Sequence, residues 1–487
     1  MVRRKISRIL SYVAHYGFFA TAALAFEKLF VDKRRFSAKN AAKNADIAHA
    51  DHDSERENAF GGGISELESR YVKNTLGASA RPMKILYAIH YFYPERRGGT
   101  ERFTLNLAKS ALLSGCEPTV LVLDANLPRS AYTERVGDML LREYEYEGIR
   151  CIGFRHVKAP RGLFYKNITE NDEGMRALCR YLRDRLGFDV VHATYPQPFA
   201  PFLAECRKMG VPYIVTCTDF AAVCHYATLV DKRGGICSSS RCGKRCSEIC
   251  RSALCADFGE RYAAARRMLE GAFLRTVPSD FVARRLRAEF GLDFQTVNHG
   301  ISDEFNIPRG RDGVRKILYA GTLSPLKGVH LLIDAFRRIE GDFELLIAGS
   351  GESAYEATLR KMADGRVRFV GAVSPSEMPR LYSEADLVVV PSMWHETYNF
   401  VLREALMTGA LAISSNLGAM PEAIKEGKCG FTFDKLDPDS LKAAIEKAIA
   451  FDFSEYEMQK FATLSEEWEV YREEYARAVG SEMMNDE

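Results

Sequence analysis

Residues 385–415 read "ADLVVVPSMWHETYNFVLREALMTGALAISS". An unbroken apolar run closes near Ser392, a loop with aromatic and acidic residues follows, and an apolar helical pattern from Phe400 stops at Gly409, as helices usually end. "ALAISS" then opens a second apolar run. Strands that read as continuous apolar runs are buried on both faces, and strand–helix–strand order makes them parallel. The stretch therefore predicts an α/β fold, with helices covering a parallel sheet. In such sheets ligands bind beyond the carboxyl ends of the strands. Glu396 falls in the loop at that end, and Glu404 about two helical turns further on. Carboxylates accept hydrogen bonds from sugar hydroxyls, and the amides of Thr397, Tyr398, Asn399 and Phe400 at the helix start suit phosphate or sugar oxygens. Taken alone, Glu404 either faces the same cleft or faces solvent.

The rhythm extends in both directions. "KILYAG" at 316–321, "FELLIAG" at 343–349 and "VRFVG" at 367–371 read as further strands, with "GVHLLIDAFRRI" at 328–339 as a helix. Nearer the start, "MKILYAIHYF" at 83–92, "TVLVLD" at 119–124, "FDVVHAT" at 188–194, "PYIVTC" at 212–217 and "RTVPS" at 275–279 alternate with helical patterns. The polar stretch 308–314 divides the two series, which share an architecture without a close sequence repeat. The expectation is two doubly wound, Rossmann-like domains, 82–308 and 309–452, facing a central cleft, with a helix in 453–487 crossing back to the first.

At 487 residues, 47% hydrophobic and 27% charged, the chain has the balance of a globular protein, and its formal net charge of +2 gives no reason to expect nucleic acid as a partner. A local basic patch stands at the start, where "MVRRKISRIL" and "VDKRRF" flank an apolar run holding His15 and Glu27. That run is too short and polar for a spanning helix. Residues 1–36 read best as a basic amphipathic helix on an anionic membrane surface, with a cleaved signal peptide and a protein-packed helix as rivals. Residues 37–81, rich in Ala, Asn, Asp and Ser with Gly61–Gly63, read as a flexible linker.

"YAGTLSPLKG" at 319–328 adds an anion-binding element: Gly321 directly follows a strand, and Lys327 precedes a helix start. Together with "GAMPE" at 418–422, "GKCGF" at 427–431 and the Glu396/Glu404 pair, it closely resembles retaining glycosyltransferases of family 4, which have the GT-B fold. The resemblance covers about residues 83–480, and "YPERRGGTE" at 93–101 resembles the family's N-terminal glycine loop. It implies a metal-independent retaining hexosyltransferase without a catalytic cofactor, moving sugar from a UDP- or GDP-sugar to a glycan or lipid-linked acceptor in cell-surface polysaccharide synthesis. The resemblance makes Glu396 and Lys327 catalytic, Glu396 meeting the donor sugar and Lys327 its diphosphate, with Glu404 on the ribose. Gly99, Gly321, Thr322, Thr397, Tyr398, Asn399 and Phe400 complete the donor side, while Gly98, Glu101, Thr218 and Asp219 fall on the acceptor side. Two positions depart from the family's pattern: Thr322 stands where an Arg is usual and Thr218 where a His is common. These losses keep open a non-catalytic scaffold of the same fold. The implied location is cytoplasmic, on the inner face of the cell membrane.

Six of the twelve cysteines crowd between Cys224 and Cys255. In a subgroup of the family, Cys224, Cys237, Cys246 and Cys250 look like a matching set. A structural zinc would hold such a core-poor insertion in shape, with free thiols, an iron–sulfur cluster or disulfides as alternatives. His90, His192 and His299 stand at strand ends as packed or catalytic residues, and Trp394 and Tyr398 read as sugar-pocket or core aromatics.

Overall fold

A computed structural model describes residues 81–483 apart from 125–126, 158–171, 252–254, 256 and 435–437. The basic N-terminal segment and the linker lie outside the described residues. Residues Met83–Leu112 and Cys116 onward form one compact unit.

The first series runs β1 (Lys84–Ile89), α1 (Gly99–Leu113), β2 (Glu117–Leu123), β3 (Glu134–Val136), β4 (Met139–Tyr146), β5 (Ile149–His156), α2 (Glu173–Leu186), β6 (Val190–Ala193), α3 (Ala200–Lys208), β7 (Tyr213–Thr216), α4 (Phe258–Glu270), β8 (Leu274–Val277), α5 (Asp280–Phe290) and β9 (Gln295–Thr296). The second runs β10 (Lys316–Ala320), α6 (Val329–Arg337), β11 (Glu344–Ala348), α7 (Ser353–Met362), β12 (Val367–Gly371), α8 (Met378–Glu384), β13 (Leu387–Val390), α9 (Phe400–Met407), β14 (Leu411–Ser415), β15 (Gly430–Phe433), α10 (Pro438–Ile449) and α11 (Leu464–Met483). They build two sheets, ordered β3-β4-β5-β2-β1-β6-β7-β8-β9 and β12-β11-β10-β13-β14-β15. This is the expected pair of doubly wound layers.

All four residues of β13 and all five of β14 are buried, the two-sided burial that their apolar runs imply. The first sheet departs from the all-parallel expectation. β4 runs antiparallel to β5, and β3 antiparallel to β4. The cause is local: Glu147 at φ 50° and Gly148 at φ 78° make a tight turn that returns the chain at once. Along the second half of β4, Glu143 and Glu145 are exposed whereas Arg142, Tyr144 and Tyr146 between them are half-buried, the period-2 pattern of a strand wet on one face.

Helix α11 lies against the first sheet. Trp468, Tyr471, Tyr475 and Ala478, spaced to share one helical face, are buried with Ile85, Tyr87, Val190 and Ile214. Their hydroxyls are satisfied inside. Tyr475 Oη pairs with His192 Nδ1 at 2.6 Å, His192 Nε2 with Thr216 Oγ1 at 2.6 Å, and Tyr471 Oη with Thr276 Oγ1 at 3.0 Å. Burial holds His192 down to about 3, so it is a neutral packing residue.

Candidate active site

The loop after β13 carries the densest polar arrangement. Glu396 is buried, and its Oε1 accepts from Lys327 Nζ at 2.6 Å, Ser392 Oγ at 2.7 Å and Trp394 Nε1 at 2.9 Å. Lys327 comes from the turn Pro325–Lys327 between β10 and α6. That turn closes on Gly328 at φ 71°, where an added Cβ would lie 1.9 Å from the Pro391 carbonyl oxygen. Only glycine lets the two strand-end loops approach so closely. Lys327 and Glu396 are therefore brought together by backbone contact as well as by charge, and the Lys327 ammonium lies 5.4 Å from the Trp394 ring centroid.

Glu404 does not face solvent. It is buried on α9, and Arg102 of α1 donates to its Oε1. Burial raises the Glu404 carboxyl and the Arg102 charge opposes that rise. The Arg102 guanidinium also lies 4.9 Å from the Phe400 ring and 5.5 Å from that of Phe305. Asn399, at φ 68°, caps α9 by accepting from the Leu402 amide at 2.9 Å.

Thr397 joins the two sheets. Its Oγ1 donates to the Thr218 carbonyl at 2.7 Å, and its own carbonyl accepts from Ser279 Oγ at 2.7 Å. Thr218 Oγ1 in turn accepts from Thr100 Oγ1 at 2.8 Å and donates to the Thr194 carbonyl at 3.0 Å. Thr218, Thr397 and the glycine loop thus meet in one place, with Asp219 and Glu396 as sequence neighbours on either side. Desolvation pushes the Asp219 carboxyl up to about 7, against the Ala221 amide, Arg261 and Tyr195. Burial likewise raises Glu101. The Glu101 carboxylate folds over Gly98, where a Cβ would lie 2.5 Å from its Oε2, and a Cβ at Gly99 would touch the Phe400 ring at 3.7 Å.

Tyr398 is a core residue: its hydroxyl donates to the His299 carbonyl at 2.6 Å, and the Arg403 guanidinium lies 3.8 Å from its ring. Gly321 directly follows β10 at φ 142°, and the exposed Thr322 accepts at its carbonyl from the Tyr319 hydroxyl at 2.8 Å. His299 is buried with its Nδ1 3.2 Å from Glu467 of α11, and His90 stacks on Tyr195 at 3.6 Å and is held down to about 3 by burial. Sequence reading passed over Arg102, Ser279 and Ser392. Arg102 directly follows the quoted glycine loop, and its charge beside a helix start was the available signal.

All twelve cysteines are free. Cys246 is hydrogen-bonded to Cys250, which pushes the Cys246 thiol up and draws Cys250 down to about 7, and Cys224 and Cys237 are near enough to act on Cys246 electrostatically. Among the described residues, no three His, Cys, Asp or Glu side chains are grouped to hold a metal ion. The four thiols are neighbours without being converged ligands.

Two family descriptions match the chain, "Glycosyltransferase Family 4" over residues 97–305 and "Glycosyl transferases group 1" over 301–462. The chain is 32% identical over 179 residues to spore coat protein SA of Bacillus subtilis, covering 32% of this chain and 48% of the relative. It is 34% identical over 134 residues to D-inositol 3-phosphate glycosyltransferase of Corynebacterium efficiens, covering 25% and 31%. The alignments thus span half or less of these curated relatives. Anabaena HepE, solved in complex with UDP and glucose, superposes with a TM-score of 0.54 at 15% identity over 83% of this chain and 99% of that one, a likeness of fold.

Proposed function

The chain belongs to the glycosyltransferases of family 4 and group 1, and from that premise we infer that it moves a sugar from a UDP- or GDP-sugar to a hydroxyl of a glycan or lipid-linked acceptor, with retention of configuration. The observation that carries this reading is the Lys327–Glu396 pair, held by Ser392 and Trp394 at the carboxyl end of β13. The UDP and glucose of Anabaena HepE and the sugar-transferring relative from Corynebacterium efficiens support the ligand class. Glu404 receives the ribose hydroxyls, Lys327 the diphosphate and Glu396 the sugar.

The bond from the anomeric carbon to the diphosphate oxygen breaks, and the acceptor oxygen bonds to that carbon on the same face. The hydroxyl proton passes to the departing diphosphate. Negative charge grows on the leaving group, and a preoriented ammonium stabilises it more than water could. Lys327 is preoriented because Glu396 and the Gly328 turn fix it. Glu101, Thr218 and Asp219 belong to the acceptor wall. Mixing the purified protein with UDP- and GDP-sugars is expected to give binding and slow donor hydrolysis for at least one of them. Silence across the panel in both assays would remove the reading.

Residues 1–36 hold the enzyme on the cytoplasmic face of an anionic membrane, each basic residue near the surface adding about 1 kcal/mol of attraction. Among the described residues, no helix is long and apolar enough to cross a membrane. Flotation with phosphatidylserine vesicles is expected for the full chain and lost without residues 1–40; equal flotation would refute the anchor. The proposal of a structural zinc on Cys224, Cys237, Cys246 and Cys250 is supported by the closeness of the other three thiols to Cys246, would need them to converge on binding, and involves no catalytic step. Elemental analysis is expected to find about one zinc per chain, as one tetrathiolate site holds one ion; a metal-free, fully folded preparation would rule it out.

A further inference from the structure

Two ion pairs occupy the place assigned above to the sugar nucleotide, and they differ in kind. Lys327 and Glu396 come from neighbouring loops of the second sheet. Arg102 and Glu404 join α1 to α9, and their side chains are unequally buried, at 28% and 3% exposed. The carboxylate is thus the fixed member of this pair. The guanidinium rests against the Phe400 and Phe305 rings, on which a planar cation can slide at little cost.

Charge counting raises a difficulty for the donor. A nucleoside diphosphate brings two or more negative charges, yet Lys327 is already neutralised by Glu396 and Thr322 carries none. Arg102 stands in the first turn of α1, its amide bonded to the Gly98 carbonyl at 3.0 Å. The Glu101 carboxylate already takes its own amide at this helix start, and the other first-turn amides and the helix dipole favour an anion at the same end.

We propose that Arg102 changes partners when the donor enters, releasing Glu404 to the ribose hydroxyls and pairing with the diphosphate. This rests on the donor-site reading of the preceding section. A nucleoside alone must displace Arg102 and offers it nothing in return. A nucleoside diphosphate displaces it and supplies a new partner. Recognition of ribose is thereby conditional on the phosphates, and free nucleosides are discriminated against without any steric barrier.

Titrating wild type, Arg102→Met and Arg102→Lys with uridine, UDP, guanosine and GDP tests the exchange, because the two ligand types must move in opposite directions. With the base that wild type accepts, Arg102→Met is expected to bind the nucleoside about tenfold tighter and the diphosphate about tenfold weaker, the size of one charged hydrogen bond. Arg102→Lys keeps the charge and the fold, and is expected to retain most of the diphosphate affinity. Affinities that fall together for nucleoside and diphosphate would make Arg102 a structural tie and overturn the proposal, as would no change in either. Failure of wild type to bind any of the four ligands would instead remove the donor-site reading on which the exchange rests.

Discussion

Glu396→Gln is expected to lower sugar transfer by two to three powers of ten, about the cost of removing one preoriented polar group at a developing charge, while leaving the fold intact. The amide oxygen of Gln can still accept from Ser392 and Trp394, which hold Oε1 at 2.7 and 2.9 Å. The negative charge that orients Lys327 at 2.6 Å is what disappears. The Lys327 side chain is partly exposed, so loss of the pair costs about 1 kcal/mol or less in stability. Steady-state transfer and urea unfolding on the same preparation check both halves. Undiminished transfer would show that the pair has no part in the chemistry.

Gly418→Val is expected to act on the same carboxylate through the backbone. Gly418 lies at φ 67°, and a Cβ there would stand 2.3 Å from the Glu396 carbonyl oxygen and 2.6 Å from its amide nitrogen. The Ala419 amide donates to that same carbonyl at 2.8 Å. A β-branched residue at this φ is strained by about 1–3 kcal/mol, and relief of the contact displaces the Glu396 loop. Displacement by about 1 Å costs on the order of 100-fold in rate. Transfer is therefore expected to fall as far as in Glu396→Gln, now with a lowered urea midpoint. A variant with native stability and native rate would show that the 418 turn does not support the site.

The reading of β13, its loop and α9 from sequence succeeded because burial on both faces leaves an unbroken apolar run, and because Gly409 marks the helix end. Comparable runs exposed both sheets. The β3–β4 hairpin escaped because both strands are wet on one face, so that the second half of "MLLREYEY" alternates and offers no run to notice. Tyr398 illustrates a different blindness: a tyrosine in a pocket and one in a core have the same sequence signature, and the hydroxyl's partner, the His299 carbonyl, is visible only in three dimensions. The Arg102–Glu404 pair spans 302 positions along the chain, so neither local pattern nor spacing could join its members. Glu404 was legible as a candidate, but its burial was not, since a lone acidic residue on a short helix is equally at home outside.

The tyrosine-lined face of α11 has a consequence for cutting the molecule apart. The polypeptide leaves the first sheet after β9, builds the second, and returns to lay its final helix over β1 and β6. A fragment that stops at β9 would leave Tyr87 and His192 open to water, stripped of the rings that cover them. Two fragments severed near residue 310 would instead carry their own means of reunion, the second grasping the first by its closing helix as a hand takes a handle.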